Sequence, residues 1–153
     1  MQTFPIDSKA EMDKIIASCQ VCYVGMTDLQ GFPYVVPFNF GYDGEYIWLH
    51  SAKEGMKMDY MRNNPHVCVA FSTGHELYFQ HEKVACSYGM KYKSVLVFGS
   101  IEWIDDHEKK IIGLNHVMKN YTSGDFSYSK PAVKNVAVYR VRIEKMTGKK
   151  RGI

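Results

Sequence analysis

The sequence predicts a mainly β chain, a small antiparallel barrel of about six to seven strands with flanking helices. Three observations carry this. Along residues 136–144 apolar and polar side chains alternate, with Ala137, Tyr139, Val141 and Ile143 on one face and Arg140 and Arg142 on the other. Asp43-Gly44 lies between two strand-like runs, 32–40 and 45–50, as a hairpin turn signal. Strand patterns follow one another through short connections rather than alternating with helices, which argues against a parallel sheet.

At 153 residues, with 46% apolar and 14% aromatic side chains, the chain is long enough to bury a core, and residues 1–153 read as one domain. Ser8 and Glu11 have capping-box spacing, and Met12, Ile15, Ile16 and Cys19 follow at helical spacing. A strand over 21–28 turns at 29–31 into the strand 32–40, which carries Pro33 and Pro37. Proline donates no ladder hydrogen bond, so this strand needs an open edge with free backbone groups between the prolines. After the hairpin and the strand 45–50, a brief helix over 55–63 is closed by Pro65. Residues 67–72 form a further strand, 76–86 a kinked strand or two short ones, and 87–93 a loop. The most continuous apolar strand is 94–104, where Gly99 marks a bend or a close backbone approach. Asp105 and Asp106 cap a helix with Ile111, Leu114, Met118 and Tyr121 on one face. A polar loop over 122–131 precedes the last strand, and a basic tail follows it.

Net charge is +3, so bulk electrostatics commit the chain to neither nucleic acid nor membrane. With no apolar run near membrane length and a polar start, the expected location is cytoplasmic. Cys19 and Cys22 have the spacing of half a metal clip without a second pair, and Cys22 and Cys68 sit in apolar strand patterns, so the cysteines read as core packing. The six histidines have no companion ligands at matching spacing, and no metal is expected. Nucleophile-elbow, P-loop and dinucleotide glycine patterns are absent, which removes hydrolase and nucleoside-triphosphate chemistry.

The stretch 49–65 is the most informative. A strand ends in His50-Ser51, and Gly55 and Lys57 then open a helix. Free N–H groups and the dipole at a helix start attract negative charge, and a nearby lysine adds to it. An ordinary strand–loop–helix connection with a solvated lysine has the same appearance. Further cations lie at Lys93, beside Ser94, and over 130–151, which holds eight basic residues against the single acid Glu144. Separated Lys and Ser positions at strand ends suit one phosphate. The same residues also suit a solvated face, or single-stranded nucleic acid on a small barrel with Tyr and Phe as stacking platforms.

Several blocks in order resemble the pyridoxamine 5′-phosphate oxidase-like split-barrel flavoproteins, in particular the nitroimidazole-resistance or flavin-nucleotide-binding branch. They are Gly31-Phe-Pro-Tyr-Val-Val-Pro37-Phe-Asn-Phe40, Leu49-His50-Ser51-Ala52, Gly55-Met-Lys57, Arg62-Asn-Asn-Pro65, and Tyr92-Lys-Ser94-Val95 with Gly99. The resemblance implies an FMN-binding split β-barrel, with FMN in a cleft between the two barrels of a homodimer. It implies that the ring system meets backbone over Val36, Pro37, Phe38, Asn39 and Phe40. It puts the phosphate by Ser51, Gly55 and Lys57, with Ser94 from the later block and Lys149 reaching in from the tail, and it counts Ala52 among the cofactor-binding positions. His50 matches the strand-end position beside the cofactor, as a catalytic or orienting group or as packing. The chain departs from vitamin B6 oxidases in having Tyr139-Arg-Val-Arg142 where they carry an Arg-x-His pair, which argues against pyridoxamine phosphate as substrate. His75 and His81 lack a context for ligating haem iron.

The expected function is an FMN-dependent oxidoreductase passing electrons or hydride from a reduced nicotinamide nucleotide to a small flat acceptor, nitro-aromatic or quinone-like. A flavin- or haem-binding protein without turnover and a nucleic-acid-binding barrel are the alternatives.

Overall fold

The computed structural model describes residues 1–152. Its strands are β1 (Thr3–Ile6), β2 (Cys22–Thr27), β3 (Pro33–Phe38), β4 (Gly41–Tyr42), β5 (Tyr46–Ala52), β6 (His66–Tyr78), β7 (Gly89–Ile104) and β8 (Val136–Arg151). The helices are α1 (Lys9–Ser18), α2 (Met56–Asn63), α3 (His107–Lys119) and the short α4 (Lys130–Lys134). All pairings are antiparallel, in the order β3-β2-β6-β7-β8-β5-β4, with β1 added to the far end of β8. The two ends of this order, β3 and β4, are consecutive in the chain, so the sheet curls round until its edges face each other across Asn39-Phe40. This is a barrel with a split, and the fold class expected from the sequence is found.

Inside lie Val24, Phe40, Leu49, Val69, Phe71, Val97, Tyr139 and Val141, packed with Ile15 and Ile16 of α1 and with Met58 and Met61 of α2. A smaller cluster outside the barrel joins Trp48, Ile104 and Val138 to Val117 of α3. The alternation read along 136–144 is the physical cause: Tyr139 and Val141 point inward, and Val138 meets the helix layer. Helix starts follow their caps, since the Ser8 and Asp106 side chains accept from the N–H groups of Glu11 and Lys109. At Gly99 β7 shifts register, and an added Cβ would run into the carbonyl of Arg142 on β8. Bend and close approach coincide there.

Five expectations are corrected. Residues 76–78 continue β6 and 89–93 open β7, so neither a separate strand over 76–86 nor a loop over the whole of 87–93 forms. The described residues form eight strands rather than six or seven, because β1 and the two-residue β4 were not legible. The basic tail is the continuation of β8, paired with β7 and β1. The loop over 122–131 runs into α4, capped by Ser129. The face α3 buries is Lys110, Gly113 and Val117, whereas Tyr121 is exposed and Ile111 only half-buried. Gly113 lets the helix sit directly on the Trp48 ring, where an added Cβ would lie 2.6 Å from Cε3.

Cys19 and Cys22 are buried, and burial pushes the Cys22 thiol up to about 12. Cys68 lies between the inward Val67 and Val69 and is only half-buried, and Cys86 is exposed. No helix among the described residues is long and apolar enough to cross a membrane.

Candidate functional site

The site grows from the free edge of β3. Pro33 and Pro37 pair with Thr27 and Tyr23 of β2, while Tyr34, Val36 and Phe38 alternate with them. Proline nitrogen makes no ladder bond, so the hydrogen-bonded positions are the even ones, and Val35 turns its N–H and C=O to the open side. This is the edge expected from the prolines. It also sorts the segment 36–40. Val36 and Phe38 spend their N–H groups on β2, and the Phe40 N–H donates to Tyr121 Oη at 3.1 Å. Asn39 N–H, the Pro37 carbonyl and the Val35 groups are left for a ligand.

Across the split, β5 delivers His50 and Ser51. Ser51 Oγ accepts from Tyr139 Oη at 2.9 Å and lies 3.0 Å from the carbonyl of Ala52 and 3.3 Å from the sulfur of Met58. Burial pushes the Tyr139 phenol up to about 12, with the Ser51 bond opposing, so it stays a donor at neutral pH. The Tyr139 ring meets the Phe38 ring edge to face at 6.3 Å, and Lys57 Nζ sits 4.9 Å above the same Phe38 ring. Phe38 thus links the β3 edge to the cation and to the hydroxyl pair.

Gly55 caps α2 with φ at +129°, a conformation that side chains rarely adopt. Its carbonyl accepts from Met58 and Asp59, leaving the N–H groups of Met56 and Lys57 at the helix start without carbonyls behind them. Lys57 has no carboxylate within ion-pair distance among the described residues. His50 Nδ1 is buried with no hydrogen-bond partner among them. Burial, then the Lys57 charge, pull this imidazole below the ordinary histidine value, so it is neutral at pH 7. An orphaned ring nitrogen, an unpaired ammonium and free N–H groups fit a phosphate-bearing, flat ligand with polar ring edges.

Of the residues expected from the sequence, the fold gathers Phe38, His50, Ser51, Ala52, Gly55 and Lys57. Ser94 and Lys149 are elsewhere: they face each other across β7 and β8 near the far end of β8, whereas Ser51 pairs with Ala137 near its start. One chain does not bring them to Lys57. Tyr139 was missed as a site residue because it continues a clean core alternation. The signal was its hydroxyl, since a buried tyrosine oxygen needs a partner. Arg62 and Trp103 were also missed; the guanidinium lies 5.1 Å over the indole, which meets Tyr139 at 5.0 Å. The basic run 130–151 is not one free patch. Arg140 pairs with Glu102 and covers Tyr46, Arg142 pairs with Glu144, and Lys150 pairs with Glu11. Among the described residues no group of three or more His, Cys, Asp and Glu side chains is placed to hold a metal ion.

The family model described as pyridoxamine 5′-phosphate oxidase matches residues 8–150. Among solved structures the fold is similar to a candidate 5-nitroimidazole antibiotic resistance protein of Bacteroides thetaiotaomicron, with 45% identity and a TM-score of 0.89 over 97% of this chain and 87% of that one. It is also similar to the flavocytochrome Anf3 of Azotobacter vinelandii (19% identity, TM-score 0.84, 97% and 70% covered). A FAD-binding protein of Mesorhizobium loti shares it at 24% identity and a TM-score of 0.72, over 99% and 100% of the chains. These last two likenesses are of fold alone. No curated protein matches. With the family model covering nearly its whole length, the chain belongs to the pyridoxamine 5′-phosphate oxidase family.

Proposed function

We propose that this protein is an FMN-dependent oxidoreductase that passes electrons or hydride from a reduced nicotinamide nucleotide to a small flat acceptor. The observation that carries the reading is the group around Phe38: Lys57 above its ring, the Ser51–Tyr139 hydroxyl pair beside it, and the orphaned Nδ1 of His50 on the same strand as Ser51. When bound, FMN supplies the redox chemistry; the chain binds, orients and shields it. Lys57 and the helix-start N–H groups neutralise the phosphate, Ser51 adds a hydroxyl, and the β3 edge offers backbone donors and acceptors to the ring. His50, held neutral, presents one ring nitrogen as a donor or acceptor to cofactor or substrate. It is the residue we assign to substrate or flavin orientation.

A nitro-aromatic acceptor is favoured by the 45% identity to a candidate 5-nitroimidazole resistance protein. The apolar outer face supports a homodimer with the cofactor at its interface. In register across β3, β2, β6 and β7, one row holds Val35, Gly25, Cys68 and Phe98 and the next holds Pro37, Tyr23, Ala70 and Leu96. Tyr23 and Val35 are 52% and 62% exposed, in a patch of the kind that a second copy covers. In such a dimer Ser94 and Lys149 would have to act from the second copy.

The test is an absorbance spectrum of the protein reconstituted with FMN and desalted, then treated anaerobically with NADH or NADPH. Retained flavin bands that bleach and recover on adding a nitro-aromatic support the reading. Retained bands that no nicotinamide donor bleaches point to a flavin-binding protein without turnover.

A further inference from the structure

Beyond the strand end that carries Ser51, a second basic cavity opens. It measures about 360 Å³ and is lined by Lys53, Arg62, Trp103, Asp105, Lys110 and Ala137, among others. An adjoining hollow of about 420 Å³ shares Lys53, Asp105 and Lys110 with it and adds Lys130 and Lys134. Ala137 pairs with Ser51, so the cavity begins one strand away from the site already described.

Lys110 is the unusual residue. It projects from α3 and is only 8% exposed, with no carboxylate within ion-pair distance among the described residues. Its ammonium donates to the carbonyls of Val136 at 2.9 Å and Val133 at 3.3 Å. An ammonium has three hydrogens, and the third meets no acceptor among the described residues. Burial, then the Lys53 charge, pull it below the usual lysine range, and Asp105 opposes this only in part. A buried cation without a counter-ion is costly, and a bound anion relieves that cost. Arg62, 5.1 Å over the Trp103 ring, and Lys53 add charge to its lining.

The charges are spread along two adjoining hollows with shared lining residues, which suits an elongated polyanion rather than one carboxylate. We propose that the cavity built on Lys110, Arg62 and Lys53 is a diphosphate subsite, taking the nucleoside-diphosphate half of a dinucleotide whose other half lies at the Ser51–Lys57 group. The dinucleotide is either the flavin itself, as FAD, or the nicotinamide donor. That placement rests on the proposed flavin site; the subsite itself does not.

Calorimetric titration of the full chain with ADP, FMN and FAD, for wild type and Lys110→Met, tests this. Wild type binds ADP saturably, and Lys110→Met weakens ADP at least tenfold while leaving FMN unchanged. If the source is FAD, wild type binds FAD more tightly than FMN, the variant loses that preference, and ADP competes with FAD. If the source is the nicotinamide donor, FAD has no advantage over FMN, and ADP competes with NADPH on the FMN-loaded protein. Should Lys110→Met fail to fold, the double variant Lys53→Met, Arg62→Met, on exposed side chains, must weaken ADP instead. Wild type that ignores ADP, or variants that bind it unchanged, overturn the proposal. ADP binding without FMN binding leaves the subsite standing and sinks the flavin reading.

Discussion

Tyr139 Oη donates to Ser51 Oγ across 2.9 Å, joining the inward face of β8 to the last turn-ward residues of β5. The bond sets which way the serine oxygen points at the place where the helix start, Lys57 and the Phe38 ring converge. Tyr139→Phe removes the donor but keeps the ring packed against Phe38 and Trp103. The expected cost is about 1 kcal/mol of stability. FMN binding weakens by about threefold, roughly 0.6 kcal/mol. Denaturant melts and a flavin titration read the two effects separately.

Acid destabilises the fold through two histidines. His50 is pulled below the ordinary value of 6.5 by burial and then Lys57; His116 is pulled down by burial, with Asp43 opposing and Lys119 adding. Groups held neutral in the fold but free to protonate when unfolded make the unfolded chain bind more protons below the ordinary value, so stability falls as pH falls through it. The melting temperature therefore drops between about pH 7 and about pH 5.5, and His50→Gln shallows that drop. A slope unchanged in the variant would mean that His50 protonates freely in the folded protein.

Gly99 is fixed by space. The added Cβ of Gly99→Ala would meet the Arg142 carbonyl and lie 2.8 Å from Cγ1 of Val141. Overpacking of this kind costs about 1–3 kcal/mol. Urea unfolding should show the loss as a lower midpoint at an unchanged slope.

The outer sheet face predicts the assembly. Leu96 and Phe98, both 38% exposed, occupy neighbouring rows of it on β7. Leu96→Glu with Phe98→Glu should convert a dimer, read as twice the chain mass in light scattering, into a monomer. The monomer should hold FMN poorly. Wild type that runs as a monomer and still binds FMN contradicts a cofactor site shared between copies.

Local signals made much of this legible. The Asp43-Gly44 turn forms as expected, with the Asp43 carboxylate accepting from the N–H groups of Glu45 and Tyr46 and from the Trp48 indole. The prolines of β3 announced a free edge, and Gly99 announced a close approach. What escaped depends on contacts between distant parts of the chain. β1 is four residues long, and its partner is the far end of β8, so neither the strand nor the strand character of residues 145–151 shows in local alternation. Lys110 sits in a helix whose pattern of Ile and Leu suggested another face; only the carbonyls of Val133 and Val136, more than twenty residues away, explain its burial. Ser94 and Lys149 match family blocks, yet no periodicity tells which end of a sixteen-residue strand a residue occupies.

The central claim is a phosphate-anchored flavin at the β5–α2 junction, and titrating FMN into wild type and Lys57→Ala tests it most directly. The account predicts saturable binding by wild type and at least a tenfold weaker complex for the variant, about 1.4 kcal/mol, with riboflavin affinity the same in both. Equal FMN affinity in the two proteins, or no flavin uptake by wild type, would contradict it.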